Sequence, residues 1–209
     1  ITLPKMVGKV PDVLINLPGL IKGSKMSKIT DTRLPLGLGV AFENVAASNP
    51  EGIAILYQDR RFSYRDFNAW ANRLADYLAS IGLKKGDTVA VNVENRPELL
   101  ATVLACAKLG VCAALINTSQ RGKVLIHSFN LVKPKAAIVG EELIDAVEEV
   151  RGDLDLKDNF FFFADQNTLE NPGGAPAGYK NLASESRDCS SENPASSKQT
   201  FLRDPLFYI

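Results

Sequence analysis

The 209 residues carry 24 basic and 24 acidic side chains, so no global field draws the chain toward nucleic acid or another polyanion. Apolar residues make up 45% and charged residues 23%, an ordinary globular balance, and the length suits one sizeable domain or part of a larger one. Three cysteines, Cys106, Cys112 and Cys189, form neither a C-x-x-C pair nor a Cys/His cluster; this argues against a metal or redox role and for reduced thiols in a cytoplasmic protein.

Residues 1–39 differ in material from the rest. Pro4, Pro11, Pro18 and Pro35 interrupt the segment, and Lys5, Lys9, Lys22, Lys25, Lys28 and Arg33 outnumber Asp12 and Asp31. Aliphatic residues are interleaved, among them Leu14, Leu17, Leu20 and Ile21. Two readings stand: an arm that lies peripherally on a membrane, its lysines meeting anionic lipid, or an arm that wraps its own domain. Gly19, Gly23, Ser24 and Lys25 only faintly echo a phosphate loop, since the spacing is short and no strand precedes them. Gly37-x-Gly39 lacks a third glycine and reads as a loop.

A short helix is expected over 40–48, ended by Asn49-Pro50. Residues 53–58 and 61–63 suggest a hairpin turning at Asp59-Arg60. Ser63 and Asp66 make an S-x-x-D capping pair ahead of Phe67, Trp70, Ala71, Leu74, Leu78 and Ile81. Their spacing of three and four predicts one apolar stripe on a helix, ended at Gly82. Lys85-Gly86-Asp87 is a turn, 88–93 a strand of mostly β-branched residues, and Pro97 opens a helix over 98–109 that is apolar almost all round. Gly110 closes it, and 111–116 is again a continuous apolar strand. Strands apolar on both faces joined by a buried helix mark a parallel sheet covered on both sides. The long apolar run 99–116 resembles a membrane span, but Lys108 and Gly110 in its middle fit a helix-to-strand switch better.

After Asn117 the alternation continues. Thr118 or Ser119 is expected to cap a helix carrying Val124, Leu125 and Leu131; 136–139 is a strand, 141–150 an acidic helix, and the four phenylalanines before Ala164 a buried strand. His127, the one histidine, sits on a helix face with no nucleophile motif to serve. Residues 165–200 turn to Asn, Pro, Gly and Ser and read as a surface excursion with one short helix around 179–186. A strand starts at 205–209. The expected fold class is therefore α/β, a mostly parallel sheet with helices on both faces plus a small β-hairpin, with residues 40–209 as an incomplete subdomain.

Arg61-Phe62-Ser63-Tyr64-Arg65-Asp66-Phe67-Asn68 resembles the first core motif of the adenylate-forming superfamily. Lys84-Lys85-Gly86-Asp87-Thr88-Val89-Ala90 is similar to its next landmark, and Ala107-Lys108-Leu109-Gly110-Val111-Cys112-Ala113-Ala114-Leu115-Ile116-Asn117 to its second core motif. Glu94-Asn95-Arg96-Pro97-Glu98, the stretch through Gly122, and Asp204-Pro205-Leu206-Phe207-Tyr208-Ile209 are most similar to the fatty-acid-transport-protein type of long- and very-long-chain acyl-CoA synthetase in its bacterial form.

The resemblance implies the first part of a large N-terminal domain and a two-step ligase. A fatty carboxylate attacks the α-phosphorus of Mg-ATP, releasing pyrophosphate, and the CoA thiolate then displaces AMP from the acyl-adenylate. The family's phosphate loop, Thr-Ser-Gly-Thr-Thr-Gly-x-Pro-Lys, and its later motifs have no counterpart in these residues. The 209 residues alone are therefore expected to be an inactive fragment that binds none of ATP, Mg and CoA and tends to self-associate. By the same resemblance Asn117, Thr118, Ser119 and Gly140 border the CoA side of the site; no residue is assigned a catalytic or metal-binding role. The alternatives are an adenylating enzyme for a shorter or aromatic acid, and a stand-alone α/β binding module with a lipid-facing arm.

Overall fold

The computed structural model describes residues 17–19, 21, 23, 24, 31–156, 160–163 and 175–209. Most of the arm at 1–39, Ala164 and the first part of the 165–200 stretch lie outside the described residues. The chain divides between Leu34 and Pro35 into two units. In the first, residues 17–19 are helical and exposed. Every element named below belongs to the second.

Helix α1 (Leu38–Ser48) leads to a two-stranded antiparallel sheet, β1 (Ile53–Tyr57) and β2 (Arg60–Ser63), and then to α2 (Tyr64–Ser80). The hairpin is separate from the main sheet, and its turn falls on Gln58-Asp59, not Asp59-Arg60. Gln58 takes the left-handed conformation (φ 51°) that closes so tight a turn, which frees Arg60 to pair with Tyr57. Ser63 caps α2 as its spacing predicts: its Oγ accepts from the Asp66 N–H at 3.1 Å and donates to the Asp66 carboxylate at 2.7 Å. Gly39, expected in a loop, lies inside α1, where a Cβ would meet Lys108 Cγ at 3.0 Å; the glycine permits close packing of the two helices.

The main sheet follows as β3 (Thr88–Asn92), β4 (Cys112–Leu115), β5 (Ala136–Gly140), β6 (Phe160–Phe163), β7 (Lys180–Asn181) and β8 (Phe207–Tyr208). Its spatial order is β7-β6-β5-β3-β4-β8, and every pairing is parallel. Period-two alternation sorts the strand residues into two cores. Val89, Val91, Ala113, Ile138, Phe161 and Phe163 face α2 and α3 (Pro97–Leu109). Ala90, Ala137 and Val139 face α4 (Gly122–Val132) and α5 (Ile144–Glu148).

The apolar run at 99–116 is broken as expected: α3 stops at Leu109, Gly110 turns left-handed (φ 69°), and β4 begins two residues later. Among the described residues no helix is long and apolar enough to cross a membrane. The helix expected over 141–150 is shorter, an α-turn flanked by 3-10 turns, but Leu143, Ile144, Ala146 and Val147 are buried. Helix α3 is less enclosed than its composition suggests, with Leu100 47% exposed.

Residues 175–200 contribute more than a surface excursion. Lys180 and Asn181 extend the sheet as β7, α6 (Leu182–Glu185) follows, and Tyr179, Leu182, Ser197 and Thr200 are buried. Polar side chains can be buried here because they bond across to other elements. Ser197 Oγ donates to Glu43 at 2.7 Å, and Ser196 Oγ to the Lys108 carbonyl at 2.9 Å.

The same contact holds the most deeply buried charge. Lys108 is fully enclosed and its Nζ lies 2.6 Å from Glu43 Oε1. Burial pushes its pKa down and Glu43 partly offsets this. Cys106, equally enclosed, has its thiol pushed up to about 12 by burial and Cys112.

Two expectations follow. Lys108→Met leaves the Glu43 carboxylate buried without its cation and costs about 3–5 kcal/mol in urea unfolding. Adding Glu43→Gln, which keeps an acceptor for Ser197, recovers most of that loss. Asp87 opens β3 and is also buried, which opposes its ionisation. Lys135 at 2.7 Å and the Lys84 N–H at 3.0 Å outweigh this and hold the carboxyl below its ordinary value of 3.8. A depressed folded-state pKa gives stability that is complete above the unfolded value and lost as pH falls below it. Asp87→Asn should lower stability at neutral pH and flatten the loss below about pH 4, read from melting temperature against pH.

Candidate functional site

In an open parallel sheet, ligands bind beyond the carboxyl ends of the strands, where adjacent connections depart to opposite faces. Strands β3 and β4 are such a pair. The chain leaves β3 toward α3 on one face, whereas it leaves β4 toward α4 on the other and crosses back past β3 to reach β5. A cavity of about 880 Å³ reaches the loops after both strands and runs back along β3 and β4 beside α4. It extends from Asn95, Asn117, Thr118 and Gln120 at the carboxyl ends to Thr88 and Leu131 at the other, with apolar walls from Val91, Val93, Leu99 and Ile116.

Two of the four residues expected at a site line this cavity, Asn117 and Thr118. Ser119 does not; it is exposed and held by Asn117, whose Oδ1 accepts from the Ser119 N–H at 2.9 Å and from its Oγ at 2.7 Å. Neither Thr118 nor Ser119 caps α4. Its N-cap is Arg121, and Gly122 at φ 52° begins the helix, because the Asn117–Ser119 turn has already redirected the chain. The Arg121 guanidinium donates to the carbonyls of Thr118 and Gln120, each at 2.7 Å, fixing that loop from outside.

Gly140 ends β5, on the far side of β3 from the cavity, and does not line it. A Cβ there would collide with the carboxylate of Glu142, which folds back over the strand end. Glu142 Oε1 accepts from the Glu94 N–H at 3.0 Å, and its Oε2 from Arg96 Nη2 at 2.9 Å. Arg96, 4% exposed, also reaches the Phe163 carbonyl at 3.3 Å and Glu98 Oε2 at 3.5 Å. Glu98, 1% exposed, pairs in turn with Arg60 of the hairpin at 2.7 Å. One guanidinium thus joins the ends of β3, β5 and β6.

In the sequence Arg96 and Glu98 stand only as part of the 94–98 motif, and nothing local marks Glu142. The available signal was two unlike charges at the first turn of an otherwise apolar helix, which cannot be enclosed without partners.

The cavity's polar lining is largely neutral, with Lys133 at its rim. Such a set can hold the amides and hydroxyls of an extended chain while the valines and leucine meet its methylenes. It does not supply the clustered cations or glycine-rich backbone that a triphosphate needs. Among the described residues no group of three or more His, Cys, Asp and Glu is placed to hold a metal ion, and His127 is exposed on α4.

Comparison with known proteins places this geometry among relatives. The profile of the AMP-binding enzyme family matches residues 42–196. The medium/long-chain-fatty-acid–CoA ligase FadD6 of Mycobacterium tuberculosis is 31% identical over 184 residues, which is 85% of this chain and 31% of that protein. Human long-chain fatty acid transport protein 6 is 34% identical over 110 residues, 52% of this chain and 18% of that protein. The crystal structure of the N-terminal domain of FACL13 from M. tuberculosis superposes with a TM-score of 0.65 at 26% identity, covering 82% of this chain and 40% of that one. The chain therefore spans well under half the length of these relatives.

Proposed function

The chain belongs to the AMP-binding enzyme family, and from that membership we propose that it forms the first part of the large domain of an ATP-dependent fatty acid–CoA ligase. The overall reaction joins a fatty acid to CoA with conversion of ATP to AMP and pyrophosphate. A carboxylate oxygen attacks the α-phosphorus, pyrophosphate leaves, and the thiolate of CoA then adds to the acyl carbonyl and expels AMP. Such steps are accelerated mainly by positioning and charge stabilisation.

The observation that carries the reading is the cavity that runs along β3, β4 and α4 to the loops after both strands, apolar along its walls and edged at those loops by neutral donors and acceptors. Its chemistry suits the pantetheine arm of CoA, which alternates amides with short alkyl segments. Asn117 and Thr118 are the residues we assign to that contact, with Ser119 supporting Asn117. ATP and its Mg²⁺ require phosphate-binding groups other than those lining this cavity, so no residue here is given to them.

The remaining partners belong to the same proposal. Val124, Leu131 and Tyr208 present apolar surface, which supports self-association of the isolated chain. The basic and aliphatic composition of residues 1–39 supports peripheral contact with a membrane, and the free thiols Cys106, Cys112 and Cys189 support a cytoplasmic setting.

The test is acyl-CoA formation by the full-length protein against acids of increasing chain length. Turnover highest with long chains supports the reading; preference for short or aromatic acids, or no CoA-dependent product, overturns it. In the same assay Thr118→Val, which keeps shape and removes one hydroxyl, should raise the KM for CoA about three- to tenfold, the size of one neutral hydrogen bond, with KM for ATP unchanged.

A further inference from the structure

We propose that Glu142 is a positioning residue for the thiol substrate, held in place by the bare Cα of Gly140, and that it acts through the loop leaving β3. This rests on the cavity being the CoA site.

The cavity wall on the β3 side is made by Val93, Asn95 and Leu99. Val93 and Asn95 belong to a short connection between β3 and α3, and Leu99 to the first turn of that helix. The connection has few internal restraints: the Leu99 N–H bonds to the Arg96 carbonyl, and the α3 N-cap has no side-chain bond. Arg96 is held by the Phe163 carbonyl and Glu98 as well, but Glu142 is the side chain that holds the connection at two points. One carboxylate oxygen takes the Glu94 N–H and the other takes the Arg96 guanidinium, so a single side chain grips the loop at two points on either side of Asn95. Neither Glu142 nor Gly140 lines the cavity, so any effect on a ligand there must pass through the loop.

Gly140 is required for a steric reason, not a conformational one. Its φ of −64° and ψ of 146° are open to any residue. The conflict is between a Cβ and the Glu142 carboxylate, the free end of a side chain that can rotate away. Gly140→Ala should therefore displace Glu142 and release the loop at little cost to the backbone. This allows the clamp to be removed from two directions.

In the full-length enzyme, Glu142→Ala and Gly140→Ala should each raise the KM for CoA about tenfold, the worth of one charge-assisted hydrogen bond, with the KM for ATP unchanged. The double variant should be no worse than either single, because both remove one interaction. Glu142→Gln, which retains an acceptor for the Glu94 N–H, should recover part of the affinity. On the chain itself, hydrogen exchange at the Glu94 amide should speed up in Glu142→Ala and Gly140→Ala alike. An unchanged KM for CoA in an enzyme that does form acyl-CoA, unchanged exchange at Glu94, or additive effects in the double variant would each overturn the inference. Absence of any CoA-dependent product would instead overturn the functional reading on which it rests.

Discussion

Arg96 is the residue around which the carboxyl end of the sheet is arranged. A guanidinium cannot lose its proton and cannot be enclosed cheaply, so its surroundings must supply acceptors. Here they come from separate parts of the chain: Glu142 from beyond β5 and the Phe163 carbonyl from the end of β6 accept hydrogen bonds, and Glu98 in the first turn of α3 adds an opposite charge at 3.5 Å. Because Glu98 is itself enclosed, it needs the second cation, Arg60, and this ties the hairpin to the sheet. Phe62 stacks on Trp70 of α2 at 5.5 Å and fixes the hairpin's other side. Removing either charge would strand the other in a medium where it is poorly solvated. The network holds these ends by charge pairing more than by hydrogen bonds, since Arg96 Nε and Nη1 and both Glu98 oxygens have no hydrogen-bond partner among the described residues.

What could be read from the sequence is what depends on local spacing. The cap at Ser63, the left-handed Gly110 and the alternation of apolar strands with apolar helices need only neighbours a few residues away, and each is in place. The parallel sheet with both faces covered follows from strands that are apolar on both sides. Lys108 was legible only as an interruption of an apolar run. Its role as a buried cation needs Glu43, 65 positions earlier, and Ser197, later still, and no local pattern announces such a partnership. The polar composition of residues 175–200 misled for the same reason. Serines and asparagines are read as exposed, yet Asn72 donates to the Ser191 carbonyl at 2.7 Å, and Ser197 is enclosed.

The candidate site was legible to the same depth. Asn117 and Thr118 follow a strand, and a strand's carboxyl end is a reasonable place to look for a ligand. Whether such residues meet a cavity depends on strand order, which spacing does not encode. The order β5-β3-β4 decides it: the successive crossovers go in opposite directions, and since each must be right-handed they use opposite faces. The loops after β3 and β4 consequently part, and the space between them is where Asn117 and Thr118 face Val93 and Asn95. Gly140 belongs to β5, which lies on the far side of β3 from β4, and it does not line that space.

That parting of loops also explains why a clamp is needed on one side only. The loop after β4 is short-ranged in its restraints, with Asn117 bonded to Ser119 and Arg121 bonded to two of its carbonyls, so it carries its own rigidity. The loop after β3 has no comparable turn and takes its shape from across the sheet, through Glu142. A glycine at position 140 is the cheapest way to let that carboxylate lie flat over the strand end. The bare position is thus coupled to the β3-side wall of the cavity without touching it, and its constraint is visible only once the fold has brought residues 94, 96 and 142 together.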